Sequence, residues 1–400
     1  MIARASLVAA LAVAAWSDAA AQWQRDWDKS IPQTQSYEPP KLPDVKPGER
    51  PPLDSDEAGL WMQMDRIEGQ LRGSGRVVQD PALNAYVRSI VCRLAAEHCA
   101  DIRIYLVQTP HFNATMAPNG VMQVWTGLLL RAGNEAQLAY VLGHELGHYL
   151  RRHSLQRLLD VKNKGNALAF FSLLAAGAGA GFVGDLAQLA TLYSVYAYSR
   201  DQELEADQVG FDLMAAAGYA PVEAARVWEG LEEEQRRQKD ERPSVFFSTH
   251  PSTEERIDTL KKRAAEIGAK GDAEAERYAE SVKPHRAGWL REDLRLRRFA
   301  ANEALLDRLS AEHASGELRF FQGELYRLRR QAGDDERAID AYREALELGG
   351  APPEAHRSLG LALWGKHDNA GAAAAFRAYL DARPEADDRA MVEDYIARLQ

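Results

Sequence analysis

The chain has 400 residues, which is enough for two or three domains with a substantial core, and a formal net charge of −10. This acidic balance argues against non-specific binding to nucleic acid, which needs a basic surface.

The N-terminus carries the pattern of a secretory signal peptide. Arg4 precedes an apolar run over residues 7–16, and Ala19–Ala21 offers a small-residue cleavage site. The run is too short to span a membrane. We therefore expect a signal peptide over residues 1–21 and an exported mature chain. Residues 22–55 are rich in proline and charge and predict an extended, poorly packed leader.

The two cysteines, Cys92 and Cys99, allow one disulfide in an exported chain. On one straight helix, a spacing of seven would hold them about 10 Å apart, too far to bridge. A disulfide therefore requires the helix to end near residue 97. Disulfide and free thiols both remain open at this stage.

The segment up to residue 125 predicts helices followed by a small sheet. Helical periodicity runs from about 57 to 96, is interrupted at Gly73–Gly75 and restarts at Asp80-Pro81, an N-cap followed by a first-turn proline. Residues 102–107 and 121–125 predict strands. We expect an α+β, mainly α domain, in which 121–125 is an edge strand that pairs with extended substrate.

A helix predicted over residues 135–150 carries His144-Glu145-Leu146-Gly147-His148. Positions i and i+4 share a helix face, so both imidazoles can bind one metal ion at about 2.0–2.1 Å. Glu145 lies about 100° round the helix, where it can reach a water molecule without being a ligand. The alternative is an ordinary helix with two histidines, but helical periodicity continues through the motif and favours a metal site.

Residues 167–184 contain no charged side chain and are rich in glycine and alanine. A transmembrane helix is one interpretation, since about 18 apolar residues is the lower limit for a span. The glycines weaken a continuous helix, so we favour an apolar hairpin that contacts the membrane peripherally.

A third metal ligand is needed. His153 lies about 140° from His148 on a continuous helix and is therefore excluded. Glu203 and Asp207 share one face of a later helix. One carboxylate can bind the metal while the other accepts a hydrogen bond from a ligand histidine. Taken alone, this acidic helix start is typical of a solvated face.

The C-terminal part contains a repeat. Ala338, Tyr342 and Ala345 recur 34 residues later as Ala372, Phe376 and Tyr379, and Gly323 and Gly360 occupy matching places. This period is typical of tetratricopeptide (TPR) repeats, which present a concave groove to peptides or partner proteins. The alternative is a generic helical bundle.

The motif from His144 to His148, taken together with two further segments, resembles a known family. Ser199-Arg200-x-x-Glu203-x-x-Ala206-Asp207 and the run from Thr249-His250-Pro251 to Ile257 look like the gluzincin metallopeptidases of the HtpX and CAAX-prenyl-endopeptidase type. Asn113-Ala114, Gly120 and Thr126-Gly127-Leu128 also match. The resemblance covers roughly residues 57–262. With its signal peptide and repeats, the chain fits the exported, soluble branch of that family.

The resemblance implies one zinc ion per chain, bound by His144, His148 and Glu203. Glu145 would act as general base, and Asp207 would support a ligand. We select His250 and Arg256 as candidates to stabilise the oxyanion. His250 carries a second hypothesis, in which its imidazole fills the open metal position and keeps the enzyme latent.

These inferences combine into one predicted organisation: signal peptide 1–21, leader 22–55, metallopeptidase domain 56–265 and TPR-like domain 266–400. The resemblance implies a periplasmic protease that cleaves misfolded or stalled outer-membrane proteins, with repeats that recruit substrate or the assembly machinery. The alternative is a chaperone or assembly adaptor in which proteolysis is secondary. A prenyl-protein-processing enzyme is disfavoured by the signal peptide and by the scarcity of apolar spans.

Overall fold

The computed structural model describes residues 42–163, 198–239, 246–247, 250, 254–268 and 270–399. The predicted signal peptide, the start of the leader and the apolar segment 167–184 lie outside these described residues. Among the helices of the described part, none is both long and apolar enough to cross a membrane.

The N-terminal half of the described chain places helices on either side of a small sheet. Ser55 caps the first helix by accepting a hydrogen bond from Ala58 N, and Asp80 caps the second, which has proline at its start. In order, the elements are α1 (Asp56–Gly73), α2 (Pro81–Leu94), β1 (Arg103–Val107), β2 (Ala114–Met116), β3 (Val121–Trp125), α3 (Thr126–Arg131), α4 (Glu135–Leu150), α5 (His153–Asn163), α6 (Arg200–Ala216), α7 (Glu223–Gln238) and α8 (Glu254–Ile267).

The sheet has the order β1-β3-β2, with β3 parallel to β1 and antiparallel to β2. The prediction that residues 121–125 form an edge strand is therefore wrong, because β3 has a partner on both sides. The outer edge of β1 is covered by Val78 N, which donates to Leu106 O at 2.8 Å. The free edge belongs to β2, which has no second partner strand among the described residues.

The two cysteines form a disulfide, which was one of the two alternatives left open. Helix α2 ends at Leu94, and a single 3₁₀ turn over Ala96–His98 turns the chain back. The Cα atoms of Cys92 and Cys99 lie 4.8 Å apart as a result.

The part of the leader from Leu42 onward is attached more closely than its composition predicted. Val45 is buried, and its backbone N donates to Leu150 O at 3.0 Å. Asp44 pairs with Arg151 at 2.7 Å. This segment therefore packs against the C-terminal end of α4.

The C-terminal half consists of helices, each packed against the next from α10 onward. They are α9 (Ala275–Arg295), α10 (Phe299–Glu312), α11 (Gly316–Arg329), α12 (Asp334–Leu348), α13 (Glu354–Gly365), α14 (Asn369–Ala382) and α15 (Arg389–Arg398). A Cβ atom at Gly323 would collide with the Tyr342 ring, and one at Gly360 with the Phe376 ring. The glycine and the aromatic residue of each repeat are therefore a contacting pair. The prediction of a mainly α chain with a small sheet is confirmed.

Candidate metal centre

Helix α4 is buried along almost its whole length, which gives its histidines a fixed position. At its N-terminus, Asn134 accepts a hydrogen bond from Gln137 N. The buried Glu135 carboxylate accepts hydrogen bonds from Tyr86 Oη at 2.8 Å, Tyr219 Oη at 2.7 Å and Arg277 Nη1 at 2.7 Å. These contacts tie the helix to α2, to the loop after α6 and to α9.

Helix α6 packs directly on α4, and glycine allows the close approach. A Cβ atom at Gly210 would lie 2.6 Å from His144 N, and one at Gly143 would lie 3.0 Å from Gly210 O. Ser199 and Gln202 form a capping box that fixes the start of α6. The first turns of α6, which carry Glu203 and Asp207, are thereby placed beside His144 and His148.

Four buried side chains converge, each with one donor atom within 4.8 Å of all the others: His144, His148, Glu203 and His250. His144 Nε2 lies 3.1 Å from His148 Nε2 and 3.6 Å from Glu203 Oε2. His148 Nε2 lies 3.5 Å from Glu203 Oε1. The structure therefore brings the three predicted ligands together.

The donor set fits a divalent transition metal. Four ligands at about 2.0–2.1 Å in a tetrahedron would lie about 3.3 Å from one another, close to the observed spacings. Glu203 Oε2 is buried and accepts no hydrogen bond of good geometry from the described residues, although Arg256 Nη1 lies 2.9 Å away. Imidazole nitrogens with one carboxylate are ligands that suit zinc.

Asp207 supports His144 from behind. Its Oδ1 lies 2.9 Å from His144 Nδ1 and accepts a hydrogen bond from Tyr140 Oη at 2.7 Å. Burial alone would raise the pKa of Asp207, but the charge of Arg256 and its hydrogen bonds hold that pKa well below its usual range. An ionised acceptor on Nδ1 leaves His144 Nε2 free to face the cluster.

Arg256 is buried against these carboxylates. Its Nε donates to Asp207 Oδ2 at 2.6 Å and its Nη2 to Asp207 Oδ1 at 2.8 Å. The guanidinium lies over the Trp228 ring, 5.6 Å from its centroid. This geometry favours a role in positioning Asp207 and Glu203 over the oxyanion contact suggested by the sequence.

Glu145 lies beside the cluster without joining it. Its carboxylate accepts a hydrogen bond from the backbone of Met116, and its Oε1 lies 3.5 Å from His250 Nε2. Burial raises the pKa of Glu145 above its usual value. Such a carboxylate is better suited to take up and release a proton near neutral pH.

His250 lies inside the cluster as its fourth member. Its Nδ1 lies 2.9 Å from Glu203 Oε1 and 3.3 Å from His144 Nε2. The ring stacks on Phe246 with centroids 4.5 Å apart. His250 therefore lies beside the three predicted ligands, and the latency hypothesis stays a prediction.

Two residues near His148 were missed by sequence reasoning. Helix α4 ends at Leu150, and Arg152 has a left-handed φ of 55°, so His153 begins α5 instead of continuing α4. His153 Nδ1 lies 2.8 Å from His148 Nδ1. The assumption of one continuous helix through His153 is therefore wrong, and His153 lies against His148 although it is not among the clustered donors. Tyr198 stacks on His148 with centroids 3.8 Å apart.

Comparison with known proteins agrees with this geometry. Residues 78–264 match the model of Peptidase family M48. Over 220 residues the chain is 29% identical to the β-barrel assembly-enhancing protease of Escherichia coli (strain K12), covering 52% of this chain and 45% of that protein. Over 169 residues it is 33% identical to the mitochondrial metalloendopeptidase OMA1 of Arabidopsis thaliana, covering 42% of this chain and 33% of that protein. The matched region thus spans less than half the length of these two relatives.

Proposed function

We propose that this chain is a zinc-dependent endopeptidase of the bacterial periplasm, and the match of residues 78–264 to the model of Peptidase family M48 supports this proposal. The observation that carries the proposal is the buried convergence of His144, His148 and Glu203 with Glu145 beside them. Two imidazoles, one carboxylate and an adjacent buried base are the parts that metal-assisted peptide hydrolysis requires.

In this proposal, His144, His148 and Glu203 hold one zinc ion per chain. When bound, the ion would acidify water and polarise the carbonyl of the scissile peptide. Glu145 accepts the proton of the attacking water and delivers it to the leaving amine, a task that fits its raised pKa. Asp207 fixes the tautomer of His144, and Arg256 keeps Asp207 ionised.

We assign His250 a regulatory role in this site. Its Nδ1 lies within 3.3 Å of donor atoms on both His144 and Glu203, so it competes for the position that a substrate carbonyl or water would need. A resting enzyme with this imidazole in place is latent. Displacement of the His250 imidazole from this position would open the site.

The free edge of β2 is the place where we propose that substrate pairs. Trp125 N donates to Asn113 O and Ala117 N donates to Val121 O, so the backbone groups of residues 113, 115 and 117 face β3. Those of Ala114 and Met116 face outward. Because the Met116 backbone contacts Glu145, a peptide added to this edge would lie along the catalytic base.

We propose that the C-terminal helices form a TPR-like domain over residues 266–400 that recruits substrate or a partner. The equivalent contacts of Gly323 with Tyr342 and of Gly360 with Phe376 support the repeat assignment. The matched Escherichia coli protein is named for enhancing β-barrel assembly. By analogy, the substrates are misfolded or stalled outer-membrane proteins, and the partner is their assembly machinery.

Export to the periplasm is supported by the signal-like N-terminus and by the Cys92–Cys99 disulfide, since disulfides persist in oxidising compartments. The apolar segment 167–184 would provide peripheral membrane contact. Leader 22–55 and peptidase domain 56–265 complete the proposed organisation.

Casein hydrolysis by purified Glu145→Gln protein tests this function. The amide keeps the shape of the side chain but cannot accept the water proton, so cleavage should be lost while bound zinc is retained. If the wild type and the Glu145→Gln protein cleave casein equally, Glu145 is not the base. If neither cleaves, even with His250 replaced by alanine, the adaptor function becomes the better account.

A further inference from the structure

The ring of His148 is held on the side away from the donor cluster by a second buried histidine. His153 Nδ1 lies 2.8 Å from His148 Nδ1, and both side chains are fully buried. On the face of the same ring, Tyr198 stacks at 3.8 Å with an interplanar angle of 15°. His148 therefore has little rotational freedom before any metal binds.

The corner that delivers His153 is built by long-range contacts. The left-handed Arg152 places its guanidinium among the chain's N-terminal residues, with Nη1 2.6 Å from Glu57 Oε1 and Nε donating to Pro43 O at 2.9 Å. A left-handed backbone conformation costs free energy at arginine, so it persists only where contacts with surrounding residues compensate for that cost. The contacts of Arg152 with Glu57 and Pro43 provide this compensation, and the resulting turn places His153 against His148.

The direction in which the His148 ring points determines which ring nitrogens of His148 and His153 carry protons. Its Nε2 faces the cluster, 3.1 Å from His144 Nε2, so its proton is on Nδ1 and is donated to His153 Nδ1. His153 must then carry its own proton on Nε2. That nitrogen faces Glu205 Oε2 at 3.3 Å, which gives the proton an acceptor.

We propose that His153 is a positioning residue for His148, as Asp207 is for His144. The two ligand histidines would thus be held differently, one by an ionised carboxylate and the other by a neutral imidazole that is itself anchored to Glu205. The proposal rests on the metal site described above. It predicts that His153 contributes to metal affinity without touching the metal or the substrate.

The test compares three single variants with the wild type: His153→Leu, His153→Asn and His98→Leu. Leucine removes the acceptor, whereas the asparagine side-chain oxygen can lie near the position of Nδ1. His98 is a second buried histidine, outside the donor cluster, and serves as the matched control. Zinc affinity is measured by competition with a chromogenic chelator, and the visible spectrum of the cobalt-substituted protein reports the ligand field.

We expect His153→Leu to bind zinc about 10–100-fold more weakly, as is typical when a hydrogen-bond partner of a ligand is lost. His153→Asn should recover part of the affinity, and His98→Leu should match the wild type. The cobalt spectrum should shift in His153→Leu alone. Melting of the metal-free proteins shows whether a weak variant is folded.

Two results would overturn the proposal. In the first, folded His153→Leu binds zinc as the wild type does, with the same cobalt spectrum. In the second, leucine and asparagine weaken binding equally, which would point to packing instead of the hydrogen bond. A wild-type protein that binds no metal would instead refute the proposed function itself, so the two failures can be told apart.

Discussion

Gly210 in α6 lies so close to His144 in α4 that a Cβ atom on it would be 2.6 Å from the His144 backbone nitrogen. This contact sets the spacing between the helix that carries two predicted ligands and the helix that carries the third. A methyl group at Gly210 would push α6 away from α4.

We therefore expect Gly210→Ala to lower the free energy of unfolding by about 1–3 kcal/mol, the usual cost of overpacking, and to weaken metal binding. Gly69→Ala is the matched control, because Gly69 also lies within a helix but has open space around its Cβ position. That control should be neutral or stabilising by up to about 1 kcal/mol. Urea unfolding measures the free energy of unfolding of both variants. Equal stability of the two variants would contradict the proposed role of the contact.

Removing the charge of Asp207 should destabilise the protein even without metal. Asp207→Asn leaves the buried Arg256 guanidinium without its main counter-ion, and breaking a buried pair on one side costs about 3–5 kcal/mol. Asp201→Asn, at an exposed position of the same helix, should change stability by less than about 0.5 kcal/mol. The comparison is made by urea unfolding in the presence of chelator. Similar values for the two variants would show that the Asp207–Arg256 pair is not important for the fold.

His250→Ala should raise the rate of casein hydrolysis if the imidazole keeps the site latent. The zinc content should stay at one per chain, because His144, His148 and Glu203 remain. An unchanged or lower rate, with zinc retained, would argue against latency and for a supporting role of His250 in catalysis.

Replacing both Cys92 and Cys99 by serine should lower the free energy of unfolding by about 2.5 kcal/mol, the chain-entropy value for a loop of this length. Thermal unfolding with and without reductant gives the measurement. Reductant should lower the melting temperature of the wild type and leave the serine variant unchanged. A reductant effect of the same size on both would show that the disulfide is not its cause.

The sequence could predict the centre of the site because helix periodicity alone decides which side chains share a face. His144 and His148 share one face of α4, and Glu203 and Asp207 share one face of α6. The need for a third ligand suggested that these two helices meet, and the choice of Glu203 as that ligand came from the family resemblance. The first and third strands were predicted within a residue or two for a similar reason, because alternation is a local property.

The errors arose where distant parts of the chain decide the local structure. His153 contacts His148 only because Arg152 adopts a left-handed conformation held by Glu57 and Pro43. The strand β2 has three residues, too few to show a periodic pattern, and its pairing on the far side of β3 depends on the tertiary fold. The ion pairs of Arg256 could not be predicted from the sequence, because its two carboxylate partners lie about 50 positions earlier in the chain.

The most direct test of the account measures zinc content and casein cleavage for wild-type, Glu145→Gln and His148→Ala protein. Both measurements are then repeated on these three proteins with His250→Ala added. The account predicts one zinc per chain in the wild type and in Glu145→Gln. It predicts markedly less zinc in His148→Ala, and cleavage only where both Glu145 and His148 are intact. A well-folded wild-type protein without bound zinc, or cleavage that survives the loss of His148, would contradict it.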